Sequence, residues 1–230
     1  MHRNKFLIVN GGTDYGQMFA GLGERSYDLV DFQAANVIVF TGGADVSPNL
    51  YNEKDGFYTI PDVDRDTEEL CLFEEAVNLG KHIVGICRGA QLGCVLSGGT
   101  LLQHVTNHIN TTHRIYTSEG DSIHVAGDHH QMMMPYEMSL DEYDLLAWSY
   151  NLSTSYLDGT NNMHPYLKKH RAQFLEPEMV YFKNTGCLAV QYHPEWMSPQ
   201  SEGYAYFLRN LKIVLGEQNG DRKFGNASSI

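Results

Sequence analysis

The segment His82-Ile83-Val84-Gly85-Ile86-Cys87-Arg88-Gly89-Ala90-Gln91 constrains this chain more than any other. An apolar run ends in Gly-x-Cys-x-Gly, and a helix-compatible stretch, Ala90 to Leu96, follows at once. A reactive side chain between two glycines at a strand-to-helix junction is a nucleophile elbow. The turn holds its central residue in a strained backbone conformation, and side chains on the flanking residues would clash with it. The Cys87 sulfur would then sit at a helix N-terminus, where partial positive charge and free amides favour a thiolate. The same letters also describe an ordinary strand-end turn around a buried thiol, so the context has to supply the rest of the chemistry.

That context lies near the other end, in Cys187-Leu188-Ala189-Val190-Gln191-Tyr192-His193-Pro194-Glu195-Trp196. A thiol nucleophile needs a base to take its proton and return it to a leaving amine, and the base needs an orienting group. His193 and Glu195 are those two types, and alternation at an extended strand end can direct both the same way.

Composition removes several function classes. A formal net charge of −12 argues against a nucleic-acid surface, which needs clustered Lys and Arg. No apolar stretch is long enough to span a bilayer, so no membrane role is expected. The opening Met1 to Asn10 has a basic start but only a short apolar run, read as a first strand rather than a signal peptide. Cys71, Cys87, Cys94 and Cys187 show no paired spacing, which fits reduced thiols and a cytoplasmic setting. At 230 residues the chain is read as one catalytic domain over 1–216, with a flexible tail over 217–230.

Buried strands are expected at Phe6–Val9 and Val37–Phe40, and later ones at Leu145–Tyr150 and Glu178–Phe182. Gly11-Gly12-Thr13-Asp14-Tyr15-Gly16 has neither dinucleotide nor P-loop spacing and reads as a turn into a short helix. Asp66-x-x-Glu69 reads as a capping box for a helix over Thr67–Leu79, with Cys71 in its packing. Glu202–Leu215 reads as a closing helix. Cys94 reads as a small buried residue. Between Gly98 and Gln131 the periodicity is weak and six histidines gather. His104 and His108 sit four apart, but no Cys or acidic partner stands at ligand spacing, so no metal is expected. Met132-Met133-Met134 reads as core. Asn151 to Pro177 is polar, irregular and long for a connection.

Taken together, the chain resembles the class I glutamine amidotransferase family. Gly85 to Gln91 and Gln191 to Glu195 are similar to its two signatures, and Thr41-Gly42-Gly43-Ala44-Asp45-Val46-Ser47-Pro48 is similar to its oxyanion loop. The form of that loop is the one found in the γ-glutamyl-γ-aminobutyrate hydrolase (peptidase C26) branch. Asp62 to Leu70, Gly98 to Gln103 and His129-His130-Gln131 point the same way. The resemblance implies a three-layer α/β fold, flavodoxin-like, with a mainly parallel twisted sheet. It implies a catalytic set of Cys87, His193 and Glu195, with the Gly43 and Arg88 amides as oxyanion hole. Gly42, Gln91, His129 and His130 fall at positions expected to contact substrate.

The expected reaction is cysteine-dependent hydrolysis of a γ-glutamyl amide through a thioester, without cofactor. An alternative is a glutaminase subunit that passes ammonia from glutamine to a separate synthetase. A catalytically silent binding module is the third reading, disfavoured by an intact Cys, His and Glu. A homodimer is compatible with the sequence, which is silent on the amine side of the substrate.

Overall fold

The first strand, β1 (Asn4–Val9), has no polar face once Lys5 is passed. Phe6 and Ile8 join one core with Phe19 and Phe207, while Leu7 and Val9 join another with Phe73 and Leu92. A strand buried on both faces belongs inside a parallel sheet covered by helices on both sides. The computed structural model, which describes residues 3–217, has that architecture. The tail expected over 217–230 lies, beyond Glu217, outside the described residues.

The chain runs from β1 through α1 (Thr13–Gln17), β2 (Gly23–Ser26) and β3 (Val37–Phe40) to α2 (Val63–Asn78). β4 (His82–Ile86) and α3 (Arg88–Leu96) form the elbow unit. Then come β5 (Thr100–Leu102), β6 (His104–Val105), the hairpin β7 (Thr111–Thr117) and β8 (Ser122–Gly127), and β9 (Met132–Met134). β10 (Tyr143–Tyr150), β11 (Tyr156–Leu157), α4 (Pro165–His170), β12 (Leu175–Phe182), β13 (Cys187–Val190) and α5 (Glu202–Val214) complete it.

Nine strands make the main sheet in the order β2-β1-β3-β4-β13-β12-β10-β7-β8. It is parallel from β2 to β13 and antiparallel from there to β8. α2 and α3 pack on one face, and α5 with the α1 region on the other. A smaller core of Leu102, Val105, Met132, Met134, Tyr156, Leu167 and Phe174 joins β5, β6, β9, β11 and α4. The methionine run is therefore core, as its composition suggested. Among the described residues no helix is long and apolar enough to cross a membrane.

Register places the site. β13 runs parallel to β4 with Val190 opposite Ile86, so the chain leaving β13 emerges beside Cys87. On the other side Phe40 pairs with Gly85, which sets Thr41–Gly43 against the elbow. Reactive groups thus gather at the carboxyl ends of three adjacent strands, where open α/β sheets place their ligands.

Four expectations are corrected. α2 begins at Val63, capped by Asp62, whose carboxylate accepts from the Arg65 amide at 3.1 Å. Asp66 and Glu69 are buried partners of Arg88 rather than a capping box, because a fully buried guanidinium demands carboxylates. Cys71 is exposed, on the solvent side of that helix. The weakly periodic stretch after Gly98 holds a long hairpin, β7–β8, whose burial alternates residue by residue. Polar residues on its outer positions hid the strand pattern. The irregular stretch after Asn151 holds β11, α4 and the start of β12. Cys94 is buried as expected, and burial pushes its thiol up to about 12.

Candidate active site

Cys87 stands at φ 52°, ψ −105°, a region that L-residues rarely occupy, immediately before α3. Its neighbours explain how the turn holds it. A Cβ on Gly85 would lie 2.3 Å from the Gly89 carbonyl oxygen, and one on Gly89 would lie 2.2 Å from that of Phe40. Only glycine lets β4, the elbow and β3 approach so closely. Strain of this kind costs on the order of 1–3 kcal/mol, and a rigid surround has to maintain it.

His193 follows β13 and is fixed from several directions. Its amide donates to the Ala126 carbonyl at 2.8 Å. Its Nδ1 lies 2.6 Å from Glu195 Oε1, so Nδ1 carries the hydrogen and Nε2 is left to face the Cys87 thiol. The ring stacks flat on Trp196, centroids 3.8 Å apart. Burial opposes charge on this imidazole, but contact with Cys87 and with Glu195 outweighs it and pushes the pKa up to about 10. A base raised in the folded state stabilises that state fully below its unfolded pKa, about 6.5, and the contribution disappears as pH rises through about 10. Urea-unfolding midpoints should therefore fall between pH 7 and 10. The fall should be shallower in Cys87→Ala, which removes one cause of the shift; parallel slopes would contradict this.

Gly42 closes the third side. A Cβ there would lie 2.8 Å from the Tyr15 hydroxyl, 3.3 Å from His193 Cε1 and 3.7 Å from Cys87 Cβ. The bare glycine therefore keeps the space above thiol and imidazole open. Its amide donates to the Tyr15 hydroxyl at 3.2 Å, and its carbonyl accepts from Arg65 Nη1 at 3.0 Å. Both polar groups of Gly42 are thus engaged within the protein, so its expected contact with substrate reduces to making room. Tyr15 also adjoins Glu195, and burial, then that charge, raises its phenol pKa and keeps it protonated.

Behind the loop runs a chain of ion pairs. Arg65 donates from Nη2 to the Thr41 carbonyl at 3.1 Å and from Nε to Glu69 at 2.7 Å. Glu69 and Asp66 both pair with Arg88, the latter at 2.5 Å, and Asp66 accepts from the Ser47 amide at 2.9 Å. The Gly43 and Arg88 backbones, the expected oxyanion donors, are thus tied to one another through α2.

The remaining expected contacts are arranged differently. Gln91 is buried and donates to the Gln131 carbonyl at 3.0 Å, which anchors the loop that crosses beside the thiol. In that loop the Asp128 carbonyl lies 3.9 Å from Cys87 Sγ. His129 is buried against His108, ring centroids 4.6 Å apart, rather than turned to the mouth. His130 reaches the mouth and pairs with Asp45 at 2.9 Å. Beside it His104 stacks on Tyr58, centroids 4.0 Å apart. Sequence reasoning missed Tyr15, Arg65 and Trp196 as parts of the site. Arg65 lay inside a stretch already singled out, and Trp196 directly follows the His-Pro-Glu run; Tyr15 carried no signal.

Known proteins share both sequence and fold with this chain. The sequence model of a family described as Peptidase C26 matches residues 28–195. The glutamine amidotransferase-like protein YvdE of Lactococcus lactis subsp. lactis is 32% identical over 69% of this chain and 65% of its own length. Protein NtpR of Enterococcus hirae is 27% identical over 69% of this chain and 66% of its own. The chain thus spans slightly under two thirds of these relatives. Among solved structures, a GMP synthase subunit from Thermoplasma acidophilum superposes with TM-score 0.60 at 17% identity, covering 94% of this chain and 96% of that one. A glutamine amidotransferase from Thermotoga maritima gives 0.57 at 13%, covering 96% and 87%. At such identities these two speak for the three-layer α/β fold alone.

Proposed function

The chain belongs to the peptidase C26 family, and on that footing we propose that it is a cysteine-dependent amidase that hydrolyses a γ-glutamyl amide. The observation that carries the reading is the strained Cys87 beside a His193 whose tautomer Glu195 fixes. In the proposed reaction, the Cys87 proton has already passed to His193 Nε2, and the sulfur attacks the γ-carbonyl carbon. The carbonyl oxygen gains negative charge, stabilised by the Gly43 and Arg88 amides. The C–N bond breaks, the amine leaves with the His193 proton, and a γ-glutamyl thioester remains. His193 then takes a proton from water, hydroxide displaces the thiol, and glutamate is released. Among the expected substrate contacts, His130 at the mouth keeps that role in this proposal, and Gln91 acts through the loop it anchors.

Product release by the isolated protein tests this. Glutamine and a panel of γ-glutamyl amides are offered, and turnover of the amides with glutamine a poor substrate is expected. Turnover of glutamine only after cell extract or a synthetase is added would instead make the chain a glutaminase subunit.

Arg65 gives a second check. It holds Thr41 and Gly42 by their carbonyls, upstream of a proposed oxyanion donor, without reaching the reacting atoms. Arg65→Gln should lower kcat by about 10²-fold with KM little changed, as expected when a transition-state donor is displaced by a fraction of its length. Loss in KM alone would show that the loop binds substrate rather than the oxyanion.

A further inference from the structure

Behind His193 lies a second polar cluster that the proposed reaction does not use. It contains His108 and Glu176 with Glu178, all fully buried, and His113 and His129, each nearly so. These come from β7, from β12 and from the loops before β7 and β9, so no local spacing announces them. Among the described residues neither carboxylate pairs with a lysine or arginine. Buried carboxylates need a counter-charge, so the choice lies between imidazolium ions and a bound cation.

Hydrogen bonding separates the roles. Glu176 is satisfied: it accepts from Tyr156 at 2.5 Å, Ser149 at 2.7 Å and the Ser153 amide at 2.8 Å. Glu178 accepts from His113 Nε2 through Oε1 at 2.8 Å, while its Oε2 is buried without a partner. His129 donates from Nδ1 to the Gln131 carbonyl at 2.8 Å, which leaves a lone pair on Nε2, also buried and unpartnered. That is how proteins fix a ligating histidine: one nitrogen tethered to a carbonyl, the other free to coordinate. The fully buried His108 ring lies between the two carboxylates, Nε2 3.5 Å from Glu176 Oε2 and Nδ1 3.6 Å from Glu178 Oε1. With the His108 Nε2–H turned to Glu176, the lone pair on its Nδ1 converges with those of Glu178 and His129 Nε2.

We propose that His108, His129 and Glu178 bind one divalent transition-metal ion, zinc by ligand type, at a structural site separate from Cys87. One ligand atom from each lies within 4.8 Å of the others. Zinc bonds of about 2.0–2.2 Å would draw them to roughly 3.5 Å apart, a shift of about an ångström. Two imidazoles and a carboxylate suit zinc, with His113 holding the carboxylate from behind. The dication would balance the charges of Glu176 and Glu178 and tie β12 to the loop beside the thiol. The site does not depend on the amidase reading.

Metal content and cobalt spectroscopy test it, on the full chain with any affinity tag removed and with Cys71 and Cys87 replaced by alanine. About one zinc per chain, a melting temperature lowered by chelation and restored by zinc, and visible cobalt bands without thiolate charge transfer are expected. His129→Gln and Glu178→Gln should each abolish uptake, and His113→Gln should weaken it roughly 10- to 100-fold. No uptake by the folded parent after titration with zinc and cobalt would overturn the site. Uptake undiminished in His129→Gln or Glu178→Gln would overturn it equally. If a variant fails to fold, the parent titration and His113→Gln still decide.

Discussion

Cys87→Ala should abolish turnover of γ-glutamyl amides, by roughly 10⁴-fold or more in kcat, while the protein stays folded. The size follows from the proposed covalent route: without the sulfur no thioester forms, and the remaining groups can only hold substrate near water. Stability supplies an independent check, because residue 87 sits at φ 52°. Alanine has a Cβ and suffers the same backbone penalty as cysteine, so its unfolding free energy should stay near that of the parent. Glycine does not. Cys87→Gly should lose activity to the same degree while gaining up to about 1–2 kcal/mol, the strain relieved less the extra entropy of an unfolded glycine. Turnover comparable to the parent in either variant would remove Cys87 from the mechanism. A glycine variant less stable than the alanine one would show that the elbow is not strained.

The largest effect on stability should come from Arg88→Met. Its guanidinium is fully buried and pairs with both Asp66 and Glu69, themselves buried. Methionine fills similar space but leaves those carboxylates short of a partner, at a cost of about 3–5 kcal/mol. Glu69 keeps Arg65 at 2.7 Å, whereas Asp66 keeps only the Ser47 amide at 2.9 Å, so Asp66 carries most of the penalty. The dependence on pH follows. An unpaired buried carboxylate has its pKa raised in the folded state, so the protonated form is favoured by folding and the deficit shrinks as pH falls toward 5. Adding Asp66→Asn should recover much of the loss at pH 8, since a neutral amide needs no counter-charge. Urea unfolding of the parent, the single and the double variant at both pH values measures all of this. A deficit independent of pH and unmoved by Asp66→Asn would mean that Arg88 acts by packing alone. The backbone N–H of residue 88 survives the substitution, so activity per folded molecule should fall less than in Arg65→Gln.

Much of the fold could be read from the chain itself because the sheet is buried on both faces. Such strands are short apolar runs, and Phe6–Val9 and Val37–Phe40 stood out for that reason. The hairpin β7–β8 did not, since Thr, Arg and Tyr on its outer positions blur the alternation. The elbow was legible because its requirement is local: Gly85 and Gly89 are glycines owing to backbone contacts within a few residues and with the next strand. His193 and Glu195, two positions apart, were legible for the same reason.

What the sequence determined by itself was the set of groups whose geometry is fixed by adjacency: the elbow, the His-Pro-Glu turn and the strands that carry them. Only the tertiary structure decided which distant side chains complete them. The parallel register of β13 on β4 brings His193 to Cys87, and an Arg65–Glu69–Arg88 chain reaches from the Thr41–Gly43 loop to the elbow. Tyr15 arrives from near the N-terminus, and the cluster around Glu178 is drawn from segments with no common spacing. The physical reason is that a buried charge or lone pair must find its partner in space, whereas backbone strain and strand burial are written where they occur.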